Sequence, residues 1–417
     1  MKRTLLTAAA FVTISGAAQA QAPIDRGNNE SVTARQRPDY EAAGVRLGSF
    51  ELLPRITLGA ESNDNIFASP TAAQNDTLFV VKPELSLASD WSRHALRGYV
   101  ETTHTFYQDF DSEDSSSFFA SGDFRLDVGR EHNIGIGGSY LDAQEPRTSP
   151  DSPFTAAKPV DYSIGNFYGY GVYVFNRVRV SGRVENSEYE FKDAFTATGV
   201  RLNQRFRDHS EAAQTLRVEY AISPSTAAVL RVKNMQNEYD LPAPGALADR
   251  DSTGYRVEAG FNADVTNLVR GEVIVGYLSQ DWDHAKFSID GLAVDGSLEY
   301  FMTRLTTFTL KARRGVEETG LYAAAAGRVV TRGELRVDHE LLRNLLLTGG
   351  FGASSDKYEG IDRSDDNTFA DAGLTYLMNR RVSLGAHYYY LDVQSDGIAR
   401  DRDYTINRFM ASVTLKL

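Results

Sequence analysis

The stretch VFNRVRVSGRVE, residues 174–185, limits what this chain can become. After Asn176-Arg177, Val178, Val180, Gly182 and Val184 fall on one side of an extended backbone. Arg179, Ser181, Arg183 and Glu185 fall on the other. A period of two is the signature of a strand with one apolar and one charged face. Two folds accept such a strand. A soluble sandwich buries the valines and wets the arginines. An outer-membrane barrel turns the valines to lipid and the arginines to a water-filled lumen.

The spacing of the breaks favours the barrel. Short polar breaks fall at 90–94, 129–133, Asn176-Arg177, Ser223-Pro224-Ser225, Thr266-Asn267, Met302-Thr303, Arg343-Asn344 and Asn379-Arg380. Between neighbouring breaks lies one longer connection, acidic or rich in Gly and Pro, such as DFDSEDSSS (109–117), 143–165, LPAPGALADRD (241–251) and DKYEGIDRSDDN (356–367). The unit recurs every roughly 35–50 residues with two long strands, as barrel hairpins do, whereas propeller blades carry four short ones. The expectation is an all-β, up-and-down antiparallel transmembrane barrel of about 18 strands, with 16 as the alternative, short periplasmic turns and long extracellular loops.

Face by face, apolar residues oppose charged ones. An Arg on the lipid face at the bilayer midplane costs about 2–4 kcal/mol, so the charges are assigned to the lumen. The lumen-lining candidates in the first half are Arg97, Glu101, Arg125, Arg179, Arg183, Glu185, Arg217, Arg231 and Lys233. Those in the second half are Arg256, Glu258, Arg270, Glu272, Lys311, Arg313, Arg332, Glu334 and Arg336. Opposite charges on neighbouring strands are placed to pair. Aromatics near strand ends, including Tyr99, Tyr107, Tyr140, Tyr173, Phe175, Tyr277, Tyr300, Tyr376 and Tyr388 to Tyr390, are expected to form interfacial girdles. Gly135, Gly137, Gly138, Gly169 and Gly171 lie within strands and read as sites of curvature or bulging.

Residues 1–20 read as a Sec signal peptide, with Lys2 and Arg3, an apolar Leu5–Ile14 stretch and Ala18-Gln19-Ala20 as a small-residue cleavage site. Removing them takes the net charge from −12 to −14. Residues 21–50 are polar and irregular and read as a flexible or peripherally docked periplasmic segment, and 51–417 as the barrel. No apolar run after the leader approaches the roughly 20 residues of a membrane helix. The 417-residue chain has no cysteine, which excludes disulfides, thiolate nucleophiles and the usual zinc sites. Its acidity and sparse basic clusters argue against nucleic acid. The final strand alternates through Phe409, Ala411, Val413, Leu415 and Leu417, the kind of terminal strand that barrel assembly machinery recognises, although Phe is the usual last residue.

Catalytic and metal chemistry find little support. Of His94, His104, His132, His209, His284, His339 and His387, only His387, with Ser383 on the same predicted face, invites a catalytic reading, and it reads better as lumen lining. Asp362, Asp365 and Asp366, or Asp396, Asp401 and Asp403, match no calcium loop and read as solvated acidic loops. No catalytic, cofactor or metal residue is assigned.

Two stretches, RQRPDYEAAGVRLGSFELLPRITLGAESNDNIFA (35–68) and SDWSRHAL (89–96), resemble an outer-membrane β-barrel porin family of proteobacteria that is associated with exopolysaccharide gene clusters. The resemblance implies a barrel in the outer membrane, among lipid and lipopolysaccharide, serving polysaccharide export with periplasmic export proteins. The residues themselves leave open a general or solute-specific diffusion porin, and a closed structural or surface-interaction barrel.

Overall fold

The computed structural model describes residues 30–242, 250–283, 288–320 and 327–417. The expected leader with its cleavage site near Ala20, and His284, lie outside the described residues. The strands are β1 Val45–Leu47, β2 Phe50–Asn63, β3 Asp76–Ser89, β4 Ala95–Tyr107, β5 Ser115–Val128, β6 His132–Gln144 and β7 Asp161–Phe175. Next come β8 Val178–Phe191, β9 Ala194–Phe195, β10 Arg201–Leu202, β11 His209–Ser223, β12 Thr226–Tyr239, β13 Ser252–Thr266 and β14 Val269–Trp282. The rest are β15 Ser288–Thr303, β16 Thr306–Glu317, β17 Gly327–Leu342, β18 Leu345–Glu359, β19 Ser364–Leu377, β20 Val382–Asp396 and β21 Tyr404–Lys416.

Eighteen of them form one wall, each antiparallel to its chain neighbours, and the wall closes where β2 pairs with β21 from Arg55↔Lys416 to Asn63↔Arg408. Of the remaining three, β1 is a short flap paired to β2, while β9 and β10 form a hairpin inside the connection from β8 to β11. Closure gives every wall strand two hydrogen-bonded neighbours, which is the condition for backbone to stand in hydrocarbon.

The register identifies the inside. Arg217 on β11 reaches Glu272 on β14 at 2.8 Å, across β12 and β13. Arg231 on β12 reaches Asp295 on β15 at 3.0 Å. Each pair is about 14 Å apart along the wall, three strand spacings. Side chains bridge that distance only on the concave side, where they converge. The opposite face carries exposed apolar residues throughout, among them Leu58, Val100, Ile136, Val184, Val275, Leu335 and Phe409.

Some details differ from expectation. The turn placed at Met302-Thr303 falls at Arg304-Leu305, because β15 runs on through a register shift between Tyr300 and Thr303. Tyr99, Tyr107 and Tyr389 are not girdle residues; Tyr107 shares the inner face with Tyr99 on β4. Tyr99 is buried on the inner face and donates to Glu84 at 2.7 Å and to Glu101, and Tyr389 lies under Arg408. Gly135 and Gly137 do not mark bulges, since β6 keeps register with both neighbours. They clear space instead: a Cβ at Gly137 would stand 2.5 Å from the Tyr168 ring, and one at Gly135 would stand 2.3 Å from Tyr170.

Placing Arg at the outward Val275 should lower the unfolding free energy in lipid vesicles by about 2–4 kcal/mol. Ser297→Arg, on the inner face of the adjacent strand, should change it by no more than about 0.5 kcal/mol. Denaturant titration of both variants measures the difference.

Candidate functional site

All eighteen lumen candidates fall on the inner face in this register, and most are already neutralised by a neighbour. Arg125 pairs with Asp127, Arg183 with Glu185, Arg270 with Glu299, Arg332 with Glu334 and Arg336 with Asp338. Glu101 takes Lys82 at 3.1 Å, and Arg179 approaches Glu219 at 3.9 Å. Arg217 joins Glu219 to Glu272. Glu258, with a side chain fully shielded from solvent, lies between Arg231 at 2.8 Å and Arg256 at 2.6 Å. Removing either arginine leaves a buried carboxylate short of charge, a loss of about 3–5 kcal/mol for such pairs. The half-exposed pairs contribute about 0–1 kcal/mol each. Among the described residues, Arg97, Lys233 and Lys311 have no carboxylate within 4.0 Å. The wall is therefore dense in donors and acceptors but carries little unpaired charge.

The long-loop end is covered. The connection between β6 and β7, residues 145–160, folds across the mouth on arginine clasps. Arg147 grips Glu113 with two bonds of 2.9 and 2.6 Å, and Glu145 accepts from Arg207 at 3.0 and 2.7 Å. Asp151 accepts from Thr319 Oγ1 at 2.9 Å and from the Gly320 amide at 3.1 Å, just beyond β16. Arg402 and Tyr404, from the β20–β21 side, donate to the carbonyls of Arg147 and Thr148. Contacts with four separated parts of the rim mean that the loop spans the opening. Beneath it lies a cavity of about 320 Å³, lined in part by Tyr162, Tyr189, Lys233, Asn237, Arg313 and Glu318.

Glu318 leads off the connection after β16. Burial holds its carboxyl above the ordinary range, against hydrogen bonds from Asn237 and Ser252 that favour ionisation. Asp365 corrects the reading of solvated acidic loops. It is buried and accepts from Arg363, from Tyr358 at 3.2 Å and from Ser395 at 2.6 Å.

The short-turn end is crossed as well. In the described part of the 21–50 segment, Val32 is 1% exposed and its amide donates to Thr307 Oγ1 at 3.2 Å. Arg35 and Arg37 both reach Glu340, at 3.2 and 2.7 Å. Thr307 and Glu340 belong to β16 and β17, whereas the Gly44 amide donates to the carbonyl of Leu417 next to the closing seam. Residues 31–44 thus form a strap from one side of the mouth to the other. Gly44 makes the final bend, at φ +71°, where a Cβ would be strained.

Among the described histidines, His387 does not meet Ser383. Ser383 and His387 are four residues apart on one strand, about 13 Å, and His387 faces Asp371 at 3.6 Å instead. Sequence reasoning missed Arg55, Lys82 and Glu84, which strand alternation would have supplied. It also missed the loop clasps Glu113–Arg147 and Glu145–Arg207, for which no local pattern exists.

The model of the family described as "Putative beta-barrel porin 2" matches residues 37–417. No curated protein matches the chain. Among solved structures, the chain is similar to a mutant ferric enterobactin receptor of Pseudomonas aeruginosa, at 8% identity and TM-score 0.48, covering 94% of this chain and 83% of that one. It is similar to the outer membrane protein OpdK of Pseudomonas aeruginosa, at 10% identity and TM-score 0.47, covering 88% and 99%. OccAB3 of Acinetobacter baumannii aligns at 12% identity and TM-score 0.46, again covering 88% and 99%.

Two outcomes follow from the covered mouth. Arg147→Ala strands Glu113 and should speed proteolytic cutting within 145–160 by at least about tenfold, with the wall intact by circular dichroism. Glu318 holds its proton more tightly with the mouth covered than with the loop in water. Covering is therefore favoured most below the ordinary carboxylate range and less as pH rises through the elevated value. Channel opening in planar bilayers should increase over that range, and Glu318→Gln should flatten the response.

Proposed function

The chain belongs to that beta-barrel porin family and is an outer-membrane β-barrel of the porin type; from that premise we propose that it exports a secreted polysaccharide of the exopolysaccharide or capsule class. The observation that carries the proposal is the paired wall. Charges already neutralised by neighbours present hydrogen-bonding groups with little net field, which suits a hydroxyl-rich polymer better than an ion filter. Tyr168, Tyr170, Asn166 and Ser187 add uncharged polar surface on the same face. Gly135 and Gly137 leave room for the rings of the two tyrosines against the wall.

In this reading residues 1–20 are a leader removed near Ala20, and the strand ending at Leu417 addresses the barrel assembly machinery. The N-terminal strap faces the periplasm, where export proteins dock on it. The family and the fold favour a channel over an enzyme. A diffusion porin would share the same wall. A closed surface barrel gains support from one feature, the cover across each mouth.

Conductance and secretion separate these readings. The purified full-length protein should form channels in planar bilayers, and shortening the 145–160 loop should raise their open probability. Deleting the gene should abolish extracellular polysaccharide, and complementation should restore it. Normal secretion in the deletion strain removes the export reading. No conductance, even with both covers deleted, favours the closed barrel.

A further inference from the structure

Two tyrosines of β7 lie flat on the inner wall. Tyr168 stands opposite Gly137 of β6, and Tyr170 opposite Gly135. A Cβ at Gly137 would stand 2.5 Å from Cζ of Tyr168, and one at Gly135 would stand 2.3 Å from Cζ of Tyr170. Each ring therefore leans across β6 with one face against bare backbone. Tyr168 reaches so far that its hydroxyl meets Asp123 of β5, two strands away, at 3.2 Å. The two ring centres are 6.3 Å apart with 31° between their planes, so the rings pave one strip along the wall.

The lumen sides of the two rings differ. The Arg183 guanidinium covers Tyr168, its Cζ 3.7 Å from the ring centre, while its Nε donates to Glu185 at 2.8 Å. Among the described residues, no guanidinium lies over Tyr170. The strip has polar edges. Arg97, Asp123, Gly137 and Tyr168 stand in one row across the wall, and Arg125, Gly135 and Tyr170 in the next. Asn166 donates to Ser187 at 2.8 Å one step further along. Arg125 is held by Asp127 at 2.8 Å. Charges around the strip balance, with Arg97, Arg125 and Arg183 against Asp123, Asp127 and Glu185.

A flat ring with one free face, edged by donors and acceptors of no net charge, matches the two sides of a sugar. A pyranose presents a face of C–H groups, which packs on the electron-rich face of an aromatic ring. It also presents a rim of hydroxyls, which require partners where water is displaced. Arg97, exposed to the lumen, supplies donors for that rim, and the Asp123 carboxylate supplies an acceptor.

We propose that Tyr170, edged by Arg97, Asp123 and the Arg183–Tyr168 stack, is a stacking platform for an uncharged pyranose unit of the passing polymer. The proposal rests on the export reading and adds to it the place on the wall that holds the chain.

Calorimetric titration of the detergent-solubilised full-length barrel with maltohexaose, cellohexaose and mannitol tests it. At least one hexaose should bind about tenfold more tightly than mannitol, which has the hydroxyls but no ring. Tyr170→Leu, which keeps apolar bulk without a flat face, should remove about three- to tenfold of that affinity, and Tyr170→Phe should keep it within about twofold. Gly135→Ala keeps the tyrosine but lifts its ring from the floor, and should weaken binding in the same direction. Tyr173→Leu, on the lipid face of the same strand, should change nothing. Hexaoses that bind no better than mannitol, or binding that survives Tyr170→Leu, overturn the platform. If the Tyr170 variants do not fold, the wild type decides. In a barrel with protons only on its tyrosine rings, magnetisation should pass from the rings to the C–H protons of a bound hexaose, and no transfer contradicts stacking. Hexaose binding with normal secretion in the deletion strain keeps the platform and removes export. Lost secretion without hexaose binding removes the platform alone.

Discussion

A peptide group in hydrocarbon must find its hydrogen-bond partner inside the protein, because the solvent offers none. The pairing of β2 with β21 is the contact that makes this possible here. Without it two strand edges would lie open to lipid, and no outward valine or phenylalanine could compensate for a row of unmet amides and carbonyls. Further bonds secure one end of the seam: Thr57 and Thr414 meet at 3.0 Å inside the wall, and the Leu417 amide donates to the carbonyl of Pro54.

Once the sheet is closed, curvature decides the electrostatics. Side chains on the concave face converge, so arginines reach carboxylates several strands away, as Arg217 and Arg231 do. Glu258 is shielded on the inner face by two guanidinium groups, Arg231 from the neighbouring strand β12 and Arg256 from two residues along its own strand β13. On the convex face side chains splay apart, and there the chain presents branched and aromatic hydrocarbon. A single alternating strand pattern thus produces a coat for lipid and a lining for a polar solute.

The wall was legible from local pattern. Alternation such as Val178 to Glu185 assigns faces without tertiary knowledge, and the contrast between Asn176-Arg177 and the 143–165 connection orders the hairpins. Turn chemistry was harder to locate, as the shift to Arg304-Leu305 shows, because the register shift near Tyr300 leaves no composition signal. The girdle assignment failed at Tyr99, Tyr107 and Tyr389 for a related reason: a tyrosine near a strand end suits either face, and only its parity with neighbours such as Glu84 or Arg408 decides. The covers over the two mouths were invisible. Arg147 and Glu113, or Arg37 and Glu340, are separated by whole hairpins or by most of the chain, and an irregular segment carries no period from which a partner can be inferred.

The hairpin of β16 and β17 has an unequal share in the architecture. At one end Thr307 and Glu340 anchor the N-terminal strap. At the other, Thr319 and Gly320 tether Asp151 of the outer loop. A single ribbon is thus the footing for both closures, and a load applied to the strap bears on the element that carries the far lid. The molecule has one hinge post serving two doors.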